Sequence, residues 1–265
     1  MQRIRFIQGV HVDATSSLRI EGVSKSYLQR STLIAVLDSI SFNLETATWT
    51  TILGPSGCGK TTLLKIIAGL EFPDTGRVFV EARELSRLGE TAYLPQDDTL
   101  LPWRTALGNA ILASEIDGKP IADAKREALD LFDQFGLSGF ESLYPSELSG
   151  GMRQRLALIR TFLTHRDILL LDEPLGALDP LTRATLQNWL LNVWSELKKT
   201  VLLVTHDAEE ALLLSDRILV LTDRPAQLQL DQAVELDRPR DRGSSELVSH
   251  KSQLLRLLLE EEVGT

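Results

Sequence analysis

The sequence predicts an α/β fold: a phosphate-binding parallel core, fronted by an antiparallel β layer and interrupted by a helical lobe. Three observations carry this expectation. A glycine-rich loop, Gly54-Pro-Ser-Gly-Cys-Gly-Lys60-Thr61-Thr62, stands between a β-branched stretch, Thr50-Thr-Ile-Leu53, and an apolar helical stretch, Leu63-Leu-Lys-Ile-Ile-Ala68. Two apolar runs, Ile168-Leu-Leu-Leu171 and Val201-Leu-Leu-Val204, lead into Asp172-Glu173 and His206-Asp207. Residues from about 100 to 148 change to helical periodicity between the loop and those runs. Runs of four apolar residues imply strands buried on both faces. Open parallel sheets bind ligands beyond the carboxyl ends of such strands, where the acids and the histidine stand.

Composition narrows the class. With 265 residues and 43% hydrophobic content the chain can bury a full core, as one domain with an insertion or two packed lobes. A net charge of -9 speaks against a general nucleic-acid binder, which carries a basic stripe. The single cysteine, Cys58, excludes an internal disulfide framework and fits a reducing compartment. Arg3 and Arg5 precede no apolar run long enough for a signal peptide. No stretch approaches the ~20 apolar residues of a spanning helix, so any membrane role is expected through a partner.

Taken in order, Leu18-Arg-Ile-Glu-Gly-Val23 alternates as a strand with one wet face, and Ala35-Val-Leu-Asp-Ser-Ile-Ser-Phe42 reads as a second. Tyr27, at the end of the first, stands where a ring could stack on a base, although exposed tyrosines at strand ends are common. The loop follows. Gly54, Gly57 and Gly59 let its backbone N–H groups turn inward, with Ser56, Cys58 and Thr62 among them, and the helix N-terminus adds its partial charge. Lys60 is placed to reach phosphate oxygens and the Thr61 hydroxyl to ligate Mg²⁺. Cys58, at a helix start beside Lys60, is expected to favour thiolate, with an inert filler as the alternative.

Phe72-Pro-Asp-Thr-Gly76 closes the first helix, and Arg77-Val-Phe-Val80 and Ala92-Tyr-Leu94 return to strand character. Gln96 follows the second of these, where a sheet presents polar groups to a ligand. Ile121 to Phe135 places Ala124, Ala128, Leu131, Phe132 and Phe135 on one helical face, capped by Gly136. Ser149-Gly150-Gly151 starts a further helix and forms a second anion site by the same backbone logic. Leu247, Val248, Leu254, Leu255, Leu257, Leu258 and Leu259 form an amphipathic helix before Glu260-Glu-Glu262, expected to pack on the core or to meet a partner.

These residues resemble the ATP-binding cassette family from about 18 to 222. The phosphate loop, the sequence Leu148-Ser-Gly-Gly-Met-Arg-Gln154 that resembles the family signature, the run ending in Asp172-Glu173, Ala177-Leu178-Asp179, Gln96 and His206 occur in the family's order. The resemblance implies a P-loop NTPase core at about 18–97 and 156–224, a helical lobe at about 98–155 and a tail at about 225–265. It also implies ATP held between the phosphate loop of one chain and Ser149-Gly150-Gly151 of a second, in a head-to-tail dimer. Glu173 would polarise the attacking water, supported by His206; Asp172, Gln96 and Thr61 would hold Mg²⁺; Tyr27 would stack on adenine and Asp179 would line the dimer site.

Leu100-Leu-Pro-Trp-Arg-Thr105 resembles the importer subgroup serving nitrate, sulfonate, taurine, bicarbonate or pyrimidine precursors of thiamine, although Ala82-Arg-Glu-Leu-Ser86 lacks a hairpin glycine of many relatives. Such a chain works at the cytoplasmic face of the cell membrane with two permease subunits and, indirectly, a substrate-binding protein. Leu100, Leu101 and Trp103 are expected to receive the permease, with an internal anchoring role for Trp103 as the alternative. An exporter ATPase is the second reading. A cassette acting on DNA or ribosomes is a poor third for one compact acidic chain.

Overall fold

The computed structural model describes residues 16–262 except 82, 86, 87 and 177, with side chains described from 17 to 258. Arg3, Arg5, Ala82, Ser86 and Ala177, and the side chains of Leu259 and Glu260-Glu-Glu262, lie outside the described residues.

The chain opens with a long hairpin, β1 (Ser16–Gln29) and β2 (Thr32–Glu45), paired antiparallel around a tight turn at Arg30 and Ser31. Both strands outrun the expected stretches: Gly22 at φ 57 lies in one of several register shifts, and the pairing continues to Gln29 opposite Thr32. A five-residue strand, β3 (Trp49–Leu53), wholly buried, runs into the phosphate loop and α1 (Lys60–Ile67). β4 (Thr75–Val80) and the short β5 (Arg83–Glu84) join the hairpin in a four-stranded antiparallel sheet of order β2-β1-β4-β5. The expected β layer is this sheet.

After β6 (Ala92–Leu94) comes a helical region: α2 (Ala106–Ala110), α3 (Leu112–Ile116), α4 (Ile121–Gln134) and, beyond a 3-10 turn at Pro145–Glu147, α5 (Gly150–Phe162). The expected face holds, with Ala124, Ala128, Phe132 and Phe135 buried, Leu131 half-buried against the same core, and Gly136 at φ 63 ending α4. The chain then alternates strand and helix: β7 (Ile168–Asp172), α6 (Pro180–Leu197), β8 (Thr200–Val204), α7 (Ala208–Leu214), β9 (Arg217–Leu221). β10 (Leu228–Ala233) and α8 (Ser245–Glu262) complete it.

The second sheet has the order β10-β9-β3-β8-β7-β6. Every neighbouring pair is parallel except β10 with β9. Period-two alternation divides its interior strands between two cores. Leu169, Leu171 and Leu203 face Phe132, Leu156 and the helical region, whereas Ile168, Leu170 and Leu202 face α1 and the antiparallel sheet. A third cluster packs Leu247 and Leu254 of α8 on Leu212 and Leu213 of α7, so this helix covers the core.

Candidate functional site

The loop after β3 lies where parallel strands end. Gly59 sits at φ 124, and a Cβ there would meet Val36 Cγ1 of β2 at 2.7 Å, so both backbone shape and space require glycine. No side chain caps α1, which leaves its first N–H groups available to an anion. Lys60, at the first turn, is 6% exposed and donates from Nζ to the carbonyls of Gly54 at 2.8 Å and Pro55 at 2.7 Å. Ser56 and Gly57 form the exposed crest.

Cys58 departs from its expectation. Its thiol has no exposed surface, and burial pushes its pKa up; Lys60 Nζ at 4.0 Å opposes the shift without cancelling it. A dry loop interior penalises the thiolate more than one nearby cation favours it. The inert filler is the reading that fits.

Three neighbouring strands deliver the remaining groups. β7 ends at buried Asp172, whose Oδ1 accepts from Thr61 Oγ1 at 3.2 Å and whose Oδ2 accepts from Tyr93 OH at 3.1 Å. Burial pushes the Asp172 carboxyl up, with both hydroxyls acting against that, and the Tyr93 phenol is raised by burial and by the carboxylate it faces. Glu173 follows at φ 47, its N–H held by the Val204 carbonyl at 2.9 Å. That left-handed conformation is uncommon for a residue with a Cβ and turns the side chain out past the strand end. Glu173 Oε2 lies 3.3 Å from His206 Nδ1, beyond β8, and 3.5 Å from Gln96 Nε2, beyond β6. Gln96, Thr61, Asp172, Glu173 and His206 therefore meet at one sheet edge beside the loop. A hydroxyl, a carboxylate and an amide suit a hard cation such as Mg²⁺.

Other expected residues stand apart from that cluster. Ser149 Oγ accepts from Met152 N at 3.3 Å and caps α5, which packs on α2, α4 and β6 and carries Gly150 and Gly151 in its first turn. Asp179 caps α6, accepting from Leu181 and Thr182 N–H at 3.2 and 3.1 Å. Tyr27 donates its OH to Glu71 Oε1 at 2.5 Å and lies against Thr62, which places the ring beside the first turn of α1. Leu100 does not belong to the expected docking patch: it is 8% exposed and packs in the core under the helical region, and Leu101 is half-buried. Trp103 is 71% exposed and anchors nothing internally.

Sequence reasoning missed several groups. Tyr93 was legible as a strand and not as a partner of Asp172. Asp98 ties the stretch after Gln96 to α5, its carboxylate accepting from Arg153 Nε at 3.0 Å and its carbonyl from Arg160 Nη2 at 2.8 Å. Arg224 Nε donates to the Gly57 carbonyl. The available signals were polar residues set next to a motif, which only the fold can pair.

Loop, buried strand, paired acids and the histidine beside them suit a nucleotide-binding ATPase. Comparison with known proteins makes the family explicit. The family model described as ABC transporter matches residues 37–176. The formylaminopyrimidine import ATP-binding protein of Halalkalibacterium halodurans is 43% identical over 251 residues, covering 93% of this chain and 98% of that one. An aliphatic sulfonates import ATP-binding protein of Rhodococcus jostii is 44% identical over 248 residues, covering 93% and 96%. An uncharacterised ABC transporter ATP-binding protein of Methanocaldococcus jannaschii is 42% identical over 249 residues, covering 92% of each. Among solved structures, a dimeric bacterial ABC transporter cassette superposes with a TM-score of 0.75 at 28% identity, covering 83% of this chain and all of that one. Another matching structure shows that cassette after hydrolysis with ADP and phosphate, at 27% identity. The chain belongs to the ABC transporter family, and it is an ATPase of that family.

Proposed function

We propose that this ATPase energises an importer of a small solute of the aliphatic sulfonate or formylaminopyrimidine kind, the cargo classes in the names of its relatives. The chain would sit at the cytoplasmic face of the membrane, bound to two permease subunits that a substrate-binding protein serves. Among the described residues no helix is long and apolar enough to cross a membrane. The observation that carries the catalytic part is the convergence of Glu173, His206 and Gln96 within 3.5 Å beside the phosphate loop.

Lys60 would exchange the Gly54 and Pro55 carbonyls for the β- and γ-phosphates, with the N–H groups of residues 57–62 lining the rest of the cradle. Tyr27, beside Thr62, is set to meet the base. Glu173 would hold the attacking water by its carboxylate, and His206, 3.3 Å from Oε2, would fix its direction and touch the γ-phosphate. Thr61, Asp172 and Gln96 would hold Mg²⁺, which supplies charge neutralisation on the phosphates when bound. Ser149-Gly150-Gly151 and Asp179 are left facing outward to a second copy, whose phosphate loop they would close.

Glu173→Gln keeps the volume and removes the charge. ATP should still bind and hold two copies together, read by ATP-dependent dimer formation on gel filtration, while hydrolysis falls ~10²–10⁴-fold. Turnover near that of the unmodified chain would refute the assignment.

A further inference from the structure

We infer that Arg224 is a positioning residue for nucleotide binding, its guanidinium anchoring the phosphate loop by the Gly57 carbonyl. The inference rests on the reading of that loop as the ATP site.

Arg224 and Gly57 are 167 residues apart in sequence, and Arg224 Nε donates to Gly57 O at 2.5 Å. The sheet order produces the meeting, because β9 lies beside β3 and the segment after β9 emerges next to the loop after β3. That segment is itself fastened. Ala226 N donates to Val36 O at 2.9 Å, and Asp38 N donates to Ala226 O at 2.9 Å. Gln227 Nε2 reaches Asp38 Oδ2 at 2.6 Å, and Thr222 N closes the turn on Gln227 O at 3.0 Å. Arg224 is thus presented from a turn tied to β2, the strand that also buttresses Gly59.

Carbonyls within the loop divide between two cations. Those of Gly54 and Pro55 take Lys60, and that of Gly57 takes Arg224. In a trans peptide the C=O and the following N–H point opposite ways, so whatever holds Gly57 O also fixes the plane of the Cys58 N–H, which turns back to the Pro55 carbonyl at 3.3 Å and closes the loop. Gly57 lies at φ 80 and Gly59 at φ 124, and glycines change such angles at little cost. A phosphate cradle needs its N–H groups already convergent, since ordering them on binding weakens affinity. Arg224 supplies that order from outside. Its Nη2 lies 3.6 Å from where a Cβ on Gly57 would stand, so the guanidinium rests against the crest. Its charge acts inside the loop as well, opposing with Lys60 the burial-driven rise of the Cys58 thiol. The groups about Glu173 are not among its partners, so the effect falls on affinity and not on turnover.

The test measures Mg-ATP binding to the purified full-length chain by calorimetry, together with steady-state ATPase and thermal melting. R224A should raise Kd about tenfold, the loss expected for one charge-assisted hydrogen bond. Turnover at saturating ATP should stay within about twofold and the melting temperature of the nucleotide-free chain within a few degrees. R224K, which keeps the charge and a donor, should recover most of the affinity. K60A serves as the control for the site and should abolish binding. Unchanged Kd in R224A beside a dead K60A overturns the inference and leaves the ATP site standing. Binding that survives K60A overturns the reading of the loop. A loss in R224A that follows a fallen melting temperature and is not recovered by R224K marks a structural residue and also overturns the inference.

Discussion

Glu210, on α7, is 3% exposed, with Oε2 accepting from Thr205 Oγ1 at 2.9 Å and Oε1 buried without a partner. Burial pushes its pKa up to about 7, with Asp207 and Glu173 adding to the rise and Thr205 and Arg183 opposing it. The folded state therefore holds a proton that the unfolded chain has released above the ordinary carboxylate range. Stability from this group is full in acid, falls as pH rises through the folded value, and is lowest above it. Glu210→Gln should flatten that fall, so that its melting temperature gains on the unmodified chain between about pH 5 and about pH 8. A gap between the two that does not change with pH would refute the account. Cys58 makes a second residue-scale prediction. Its thiol should resist iodoacetamide in the folded chain and react on addition of denaturant, because the reactive thiolate is disfavoured and enclosed. Ready alkylation under native conditions would contradict this. That Thr61, Gln96, Asp172, Glu173 and His206 would come together was legible in sequence, because phosphate chemistry restricts which side chains are expected beside such a loop. Protonation was not: the order of Cys58 and Lys60 along the chain says nothing of how dry the loop interior is.

At the scale of elements, the segment joining β10 to α8 is held by arginines. Arg240 Nη1 donates to the carbonyls of Leu212 at 2.5 Å and Ser215 at 2.6 Å, and its Nε to Leu236 at 2.9 Å. Arg238 pairs with Asp216, donates to Leu214 O and lies over the Trp194 ring at 4.9 Å. These guanidinium groups satisfy carbonyls that the end of α7 leaves open. Arg240→Ala should destabilise the chain by about 2–3 kcal/mol in urea unfolding, by loss of charge-assisted bonds to half-buried carbonyls. Arg126→Ala, which removes only an exposed pair with Asp123 on α4, should change stability by less than about 1 kcal/mol. Equal effects would show that the clamp carries no stability. Elements divide the same way in legibility. β7 and β8 were plain because strands buried on both faces must be largely apolar, and β3 because its β-branched residues run straight into the glycine-rich loop. β10 was not: Leu228, Leu230 and Asp231 share an edge strand, and half-wet edges have weak patterns. α6 has large apolar residues at Trp189, Leu190, Leu191 and Trp194, which blurs a single face; its start signal, Asp179 before Pro180, was read only as a motif.

For the whole molecule, the described residues form one layered body in which the cluster about Glu173 and the turn at Ser149 lie on separate elements. A second chain is therefore expected to complete the site, in keeping with the dimeric cassette it resembles. The permease is expected at Trp103, which is mostly exposed in the segment after Gln96, while Leu100 is core. Trp103→Ala should leave melting temperature and basal ATPase unchanged and should stop the chain copurifying with its permease. A free subunit that melts several degrees lower, as loss of a packed ring produces, would sink the docking role. The separation of Leu100 from Trp103 was invisible in sequence because two apolar neighbours in a loop carry no period to say which turns inward.

The sheet order also governs how the chain is made. β1 pairs with both β2 and β4 within the first 80 residues, so the front sheet can close early. β3 cannot: its neighbours, β8 and β9, begin at Thr200 and Arg217. Roughly 150 residues must leave the ribosome before Trp49 to Leu53 has its first partner, which at ordinary elongation rates takes on the order of ten seconds or more. Through that interval the strand that carries the phosphate loop, Trp49-Thr-Thr-Ile-Leu53, is bare on both edges. Newly made chains should therefore meet holding chaperones at this segment, and stalling synthesis before β8 should yield a nascent chain with a closed front sheet and no ATP site.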